Sequence, residues 1–286
     1  MIGRISILCA AAVALSAQQR FDSPEAAAQA LIEATGAHDG AKLAAIFGPR
    51  AHSVLTCGKP DQDRSEQTQF SSLAATKHLI ETDPRDRNRA ILVIGDEDWP
   101  FPVPLVRVKG KWSFDASQAQ VEMAARRIGT EELDAIEICQ GYVEAQRRYA
   151  SHSHDRDGML TYASQMVSTP GAQNGLYSEG APMVPKGFAE AARTGSTTPY
   201  HGYYFRILNA QGPHAPGGAH NYVAGKRLIG GFALVAWPAH YGVTGIHTFI
   251  VNQDGVVWEK DIAPVPGKPG PQVDRFDPDD SWKRVD

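Results

Sequence analysis

The sequence predicts an α+β protein made of two consecutive α+β domains, each with helices followed by a small antiparallel sheet. Three observations carry this. Apolar residues recur at helical spacing between Ala27 and Phe47, and the period then changes to extended runs at 90–94, 102–108 and 111–114. The same order repeats further on, with a helical stripe from Leu133 to Tyr149 ahead of extended runs at 202–208, 230–237, 248–251 and 256–258. Helices grouped before strands, without βα alternation, define the α+β class. The chain has 286 residues, which at roughly 100–200 residues per domain fits two domains.

In the first domain, taken as 21–120, Asp22-Ser23-Pro24-Glu25 opens a helix. Ser23 can cap it, Pro24 suits the first helical position and Glu25 lies at the positive end of the helix dipole. The helix runs through Ala27, Ala30, Leu31 and Ala34, and Gly36 ends it. A second, from about Asp39, carries Leu43, Ile46 and Phe47 on its apolar side and stops at Gly48-Pro49. Residues 61–78 form a weaker third, with Phe70, Leu73 and Leu79 as its apolar positions. Strands follow at 90–94, 102–108 and 111–114, joined by a Gly95-Asp-Glu-Asp loop and a tight Lys109-Gly110 turn. This order resembles the cone-shaped fold of nuclear transport factor 2-like proteins, and an apolar ligand pocket inside the cone is one functional expectation.

The second domain, taken as 127–262, is expected to begin with a helix at Thr130-Glu131-Glu132, whose acids favour its first turn. Leu133, Ile136 and Val143 line one stripe, and Arg147-Arg148 close the negative end. Residues 158–196 read as loops and short helices. The strands then run to a hairpin at Asn252-Gln-Asp-Gly255. The stretch 263–286 begins Pro- and Gly-rich and reads as an extended tail.

Met1 to Ala17 has a short positive n-region at Arg4, an apolar run from Ile5 to Leu15 and small residues at Ala14, Ser16 and Ala17. That run is shorter than the ~20 residues that span a bilayer, so 1–17 reads as a cleaved export signal with processing near Ser16 or Ala17. The alternatives are a buried N-terminal helix and a lipid-attachment role for Cys9, against which Ser6-Ile7-Leu8 lacks the small residues such processing uses. The expected address is periplasmic or secreted, with no transmembrane segment after cleavage. Cys57 and Cys139 then remain, and the sequence leaves open whether they pair. With 28 Lys and Arg against 32 Asp and Glu, net charge −4, the chain lacks the basic surplus of a nucleic-acid binder.

Several blocks carry a family likeness: Asp98-Trp-Pro-Phe-Pro-Val-Pro-Leu105, Pro199-Tyr-His-Gly-Tyr-Tyr-Phe-Arg-Ile-Leu208, Ala210-Gln-Gly-Pro213, Gly230 to Ala239, Thr248 to Gly255 and Arg275 to Trp282. Together they resemble the bacterial family called domain of unknown function 2950. That resemblance implies no catalytic residues. Residues 127–262 also resemble the globular part of type IV pilin-like and pseudopilin proteins, although the helix here lies mid-chain without the apolar N-terminal stretch through which pilins assemble.

Four residues of the loop Ser151-His-Ser-His-Asp-Arg-Asp-Gly158 make the sequence's metal candidate: His152, His154, Asp155 and Asp157. They offer nitrogen and oxygen donors suited to a divalent ion. The spacing departs from a His-x-His-x-Asp-His site, and as a calcium loop its twelfth position is Ser164 instead of Glu. No Gly-x-Ser-x-Gly elbow, His-Glu-x-x-His helix, phosphate loop or dinucleotide fingerprint occurs. Among the aromatic residues of the second domain, His201, Tyr203, Trp237 and His240 are the ligand-binding candidates, since aromatics with polar tips give contact area at low entropy cost. Alternation puts Tyr203 and Phe205 on one face and Tyr204 and Arg206 on the other, so one pair belongs to the core. The expected function is a non-catalytic structural or binding module of the envelope, partnered by an envelope protein or cell-wall component and without a cofactor. The alternatives are a metal-dependent or His-assisted hydrolase and a small-ligand binder.

Overall fold

A computed structural model of the chain describes residues 18–55, 59–154, 157–193, 195–268 and 270–285. The export-signal reading of 1–17 lies outside the described residues, as do Cys57 and Asp155. The protein is α+β and divides into two compact units that meet in the chain at Ala124 and Ala125.

The first unit opens with α1 (Pro24–Gly36), where the Ser23 hydroxyl accepts the Ala26 amide at 3.1 Å. In α2 (Gly40–Phe47), Asp39 accepts the Lys42 amide at 3.0 Å. Next come α3 (Ala51–Leu55) and α4 (Pro60–Thr76). The sheet comprises β1 (His78–Thr82), β2 (Arg89–Ile94), β3 (Trp99–Pro100), β4 (Leu105–Val108) and β5 (Lys111–Phe114). Its order is β1-β2-β4-β5, with β3 also on β2, and every pairing is antiparallel. Leu31, Ile46, Phe47, Leu92, Leu105 and Phe114 are buried between helices and sheet. Phe101 packs against Phe47, Phe70 and Phe114 at centroid distances of 6.4, 5.2 and 6.1 Å. Phe47 and Phe114 belong to this unit's core, and Phe70 and Phe101 pack against it partly buried.

Helix α5 (Ala116–Tyr149) is a single helix of 34 residues. Its start corrects the expected start at Thr130. Asp115 accepts the Ser117 amide at 3.0 Å, and residues 116–128 are rich in Ala, Gln, Glu, Met and Arg, all good helix formers. Gly129 costs the helix about 1 kcal/mol relative to Ala, which does not outweigh its neighbours.

The second unit continues with the parallel pair β6 (Gln165–Val167) and β7 (Gly175–Tyr177), then α6 (Lys186–Ala191). Its main strands are β8 (Tyr203–Leu208), β13 (Ala233–Pro238), β14 (His247–Asn252), β15 (Val257–Asp261) and β16 (Lys283–Arg284), in the antiparallel order β16-β15-β14-β13-β8. Between β8 and β13 the chain forms two short ladders, β9 (Ala210–Gln211) with β10 (His220–Asn221) and β11 (Val223–Ala224) with β12 (Arg227–Leu228).

Register assigns the faces of the main sheet. Tyr203, Phe205 and Ile207 align with Pro238, Ala236 and Leu234, and Ala236 aligns with Phe249. This face meets the helices: Phe188 of α6 packs edge-on against Phe205 at 4.9 Å, and Glu132 of α5 holds β14 at His247. The opposite face carries Tyr204, Arg206, Trp237, Thr248 and Lys260.

Residues 263–285 cover this second face, so the stretch read as a tail is part of the second unit. Arg206 donates to the Val273 carbonyl at 2.8 Å, and Lys260 lies over the Trp282 ring at 5.7 Å. Phe276 exchanges backbone hydrogen bonds with Ala210 and Gly212, and β16 pairs with β15. Phe276 and Trp282 are buried in the same core as Phe205 and Phe249.

Candidate functional site

The covering segment leaves one end of the sheet open as a cleft of about 720 Å³, within the range of about 300–1,000 Å³ typical of small-molecule sites. Its floor is the Tyr204 and Trp237 rings, a cross-strand pair 6.0 Å apart. One wall is the segment after α6, with Arg193, Ser196 and Thr197; the other is 262–271, with Pro264, Lys268 and Pro271. The Tyr204 hydroxyl donates to the Thr197 carbonyl at 3.0 Å, which fixes the ring and the first wall together. Arg206 sits 5.7 Å from the Trp237 centroid while donating to the Val273 carbonyl at 2.8 Å, just beyond the second wall, so its guanidinium is oriented before any ligand arrives. Gly270, at φ +81°, is pressed to the edge of Trp237; a Cβ there would lie 2.9 Å from the ring. At the rim Tyr241 donates to Asp261 at 2.8 Å, and that bond to a carboxylate holds the phenol above its usual pKa.

A second depression, of about 580 Å³, lies between α5 and α6, over Ile138, Tyr142, Val184 and Phe188. His201 stands at this groove with Nδ1 2.6 Å from Asp134 Oδ2. His201 and Gly202 are the central residues of a two-residue turn, at φ 45° and 71°, closed by reciprocal hydrogen bonds between Tyr200 and Tyr203. Glu131 lies below the turn, where a Cβ on Gly202 would fall 1.9 Å from Glu131 Oε2. That oxygen is enclosed and has no hydrogen-bond partner among the described residues. Burial pushes the Glu131 carboxyl above its ordinary pKa, with Arg127 opposing and Asp134 adding to the shift.

The four ligand-binding candidates of the sequence do not converge. Trp237 is in the cleft and His201 at the α5–α6 groove. Tyr203 is fully buried on the helix-facing side, its hydroxyl donating to the His247 carbonyl at 3.0 Å, and burial raises its pKa. His240 is exposed in a turn, where its amide donates to Thr244 Oγ1 at 3.0 Å. Of the metal candidates, His152 pairs through Nδ1 with Ser151 at 2.8 Å. His154 stacks on Tyr149 and bonds its carbonyl at 2.9 Å. Asp157 takes a hydrogen bond from Arg227 at 2.5 Å, which keeps its carboxyl below the usual range. Among the described residues no three His, Cys, Asp or Glu side chains converge on a metal position. Cys139 is a free thiol in the core, pushed up to about 12 by burial.

Sequence reasoning did not single out Arg193, Tyr204, Arg206 or Lys268 for the site. The alternation in β8 separated Tyr204 and Arg206 from the core pair, and choosing the pair opposite the apolar one would have found them. Arg193 and Lys268 lie in segments without periodicity and gave no signal.

Fold and cleft together define a two-unit α+β protein whose second unit presents an aromatic, cationic cleft on an antiparallel sheet. The model of the family described as protein of unknown function DUF2950 matches residues 18–285, and the chain belongs to that family. No curated protein matches the chain, and no solved structure matches it. The likenesses to nuclear transport factor 2-like and pilin-like domains therefore gain no support from a solved structure.

Proposed function

We propose that this protein is an exported, non-catalytic binding module of the bacterial envelope, which engages a cell-wall component or another envelope molecule through the cleft of its second unit. The observation that carries the reading is the cleft: two fixed aromatic rings, an oriented guanidinium and a wall bonded to the floor. Such preorganisation lowers the ordering cost of binding. The export half rests on the signal-like composition of 1–17. Among the described residues no helix is long and apolar enough to cross a membrane.

The test is a thermal-shift and tryptophan-fluorescence screen of the mature protein against cell-wall fragments. A ligand at 100 times its Kd should stabilise the folded state by roughly 2.7 kcal/mol, and Trp237→Ala should abolish the response. A response unchanged in that variant overturns the assignment of the cleft. Fractionation with mass determination of the mature N-terminus tests export; retention of residues 1–17 in a cytoplasmic protein overturns it.

One observation favours the hydrolase alternative. The imidazole of His201, oriented by Asp134 at 2.6 Å, has the arrangement of a general base. No Ser, Thr or Cys is among the residues described as lining that groove, so water would be the nucleophile. Turnover of an activated ester that His201→Ala removes would favour this reading over the first.

A further inference from the structure

We infer that the ligand of the second-unit cleft is a carboxylate-bearing saccharide; this rests on the binding reading and names its ligand class. Three cationic side chains, Arg193, Arg206 and Lys268, line the cleft, and no carboxylate lines it among the described residues. The chain as a whole carries net charge −4, so this concentration of positive charge runs against its composition. The nearby acids are engaged or turned to solvent. Asp261 accepts the Tyr241 hydroxyl, and Asp274, 88% exposed, is 4.0 Å from Arg206. Asp274 is thus an exposed ion-pair partner of Arg206, and an anion entering the cleft competes there only with a solvent-screened contact. Arg206 is the strongest of these, because a guanidinium presents a planar fork that matches a carboxylate and its orientation is already fixed by the Val273 carbonyl and the Trp237 ring.

The remaining surface selects the body of the ligand. Tyr204 and Trp237 give ring faces and edges that pack on the apolar side of a sugar ring, and Ser196 and Thr197 bring hydroxyls to the same wall. A peptide in extended form would instead need backbone partners along a wall. Two of the six lining residues on that side, Pro264 and Pro271, carry no amide donor, which thins such partners. Side-chain stacking with charge pairing is what the cleft offers, and an acidic oligosaccharide uses both.

The probes are tetragalacturonate, its fully methyl-esterified form and tetraglutamate, titrated into the mature protein by calorimetry and followed by tryptophan fluorescence. Tetragalacturonate should bind at least 10-fold more tightly than the ester and than tetraglutamate, with affinity falling as salt rises. Arg193→Gln/Lys268→Gln changes two exposed side chains and should weaken tetragalacturonate about 10-fold with Tm unchanged. Equal binding of the ester, lost in Trp237→Ala, overturns the charge selection and leaves the binding reading standing. Tighter binding of tetraglutamate overturns the saccharide in favour of an acidic peptide. No binding of tetragalacturonate at millimolar concentration overturns the inference, and the wider envelope-fragment screen then decides the reading beneath it.

Discussion

Gln146 is fully buried in α5 and bonded at both ends of its amide. Its Nε2 donates to the Ala163 carbonyl at 2.9 Å and to the Tyr142 hydroxyl at 3.0 Å, while its Oε1 accepts the Ala163 amide at 2.9 Å. One side chain thus satisfies both backbone groups of a residue that joins no ladder. Replacing it with Leu leaves those groups buried without partners, at about 1–3 kcal/mol each, so Gln146→Leu should lower the unfolding free energy of the second unit by several kcal/mol, read as a lower urea midpoint with the m-value unchanged. Glu131 acts with opposite sign. Its carboxyl is raised from the ordinary 4.5, chiefly by burial, so the folded state binds a proton more readily than the unfolded one. The stability it contributes is complete below the unfolded pKa and is lost as pH rises through the raised folded pKa. Glu131→Gln mimics the protonated form. Its stability advantage over the parent should appear near neutral pH and vanish as pH falls below about 4.5; an advantage independent of pH would overturn the shift. Neither role was legible in the sequence. Gln146 interrupts an apolar stripe, and Glu131 and Glu132 read as first-turn acids because that is their local statistical use. In the fold Glu132 instead accepts the Ile246 and His247 amides at 2.8 and 2.9 Å, partners more than 100 residues away.

Elements whose signals are local were the readable ones. Ser23 caps α1 as expected, and Asp39, where the second helix was expected to begin, caps α2, because a cap involves residues three apart and needs nothing from the rest of the chain. Strand β1 was missed: Leu79 was grouped with Phe70 and Leu73 although it lies nine and six residues from them, off their helical face, and His78, Glu81 and Thr82 are exposed, so the strand shows no run of buried positions. What makes it a strand is its full pairing with β2, from His78 opposite Ile94 to Thr82 opposite Ala90. In β8 the sequence showed two faces but not which one the helices cover, since that depends on Phe188 and the 263–285 segment arriving from elsewhere. Helix α5 supplies the prediction at this scale. Gly129 and Gly141 lie inside it, and a Cβ at either would meet nothing within 4 Å. Gly129→Ala and Gly141→Ala should therefore each stabilise by about 0.5–1 kcal/mol. Twelve residues separate them, about 18 Å along the axis, so the double variant should show the sum. Thermal melts of the single and double variants measure this; a loss at Gly141 would mean that the helix surface beside the α5–α6 groove needs to stay bare.

At the scale of the molecule, each unit has its own buried core, and the second is completed by the end of the chain. Phe276 is 1% exposed and Trp282 8%, and both pack with strands that precede them by tens of residues. The sequence concealed this for a physical reason. Residues 263–285 follow neither a period of 2 nor one of 3.6, and Pro and Gly at 264–271 carry the composition of a linker, so local pattern contains no record of burial. The backbone bonds of Phe276 to Ala210 and Gly212 place its ring in the core, and the Asp277 carboxylate fits over Gly212, where a Cβ would stand 2.2 Å from its Cγ. An unstructured tail would tolerate Phe276→Ala, whereas a core position forfeits the transfer energy of the ring and gains a cavity, about 3–5 kcal/mol together. Hydrogen exchange separates the outcomes. Phe276→Ala should speed exchange of the β8, β13, β14 and β15 amides by the factor that loss implies, more than 100-fold, while β2 and β4 of the first unit keep their rates. Unchanged protection in β13 and β14 would show that the segment only lies on the sheet, and the cleft it walls would then have to form without it.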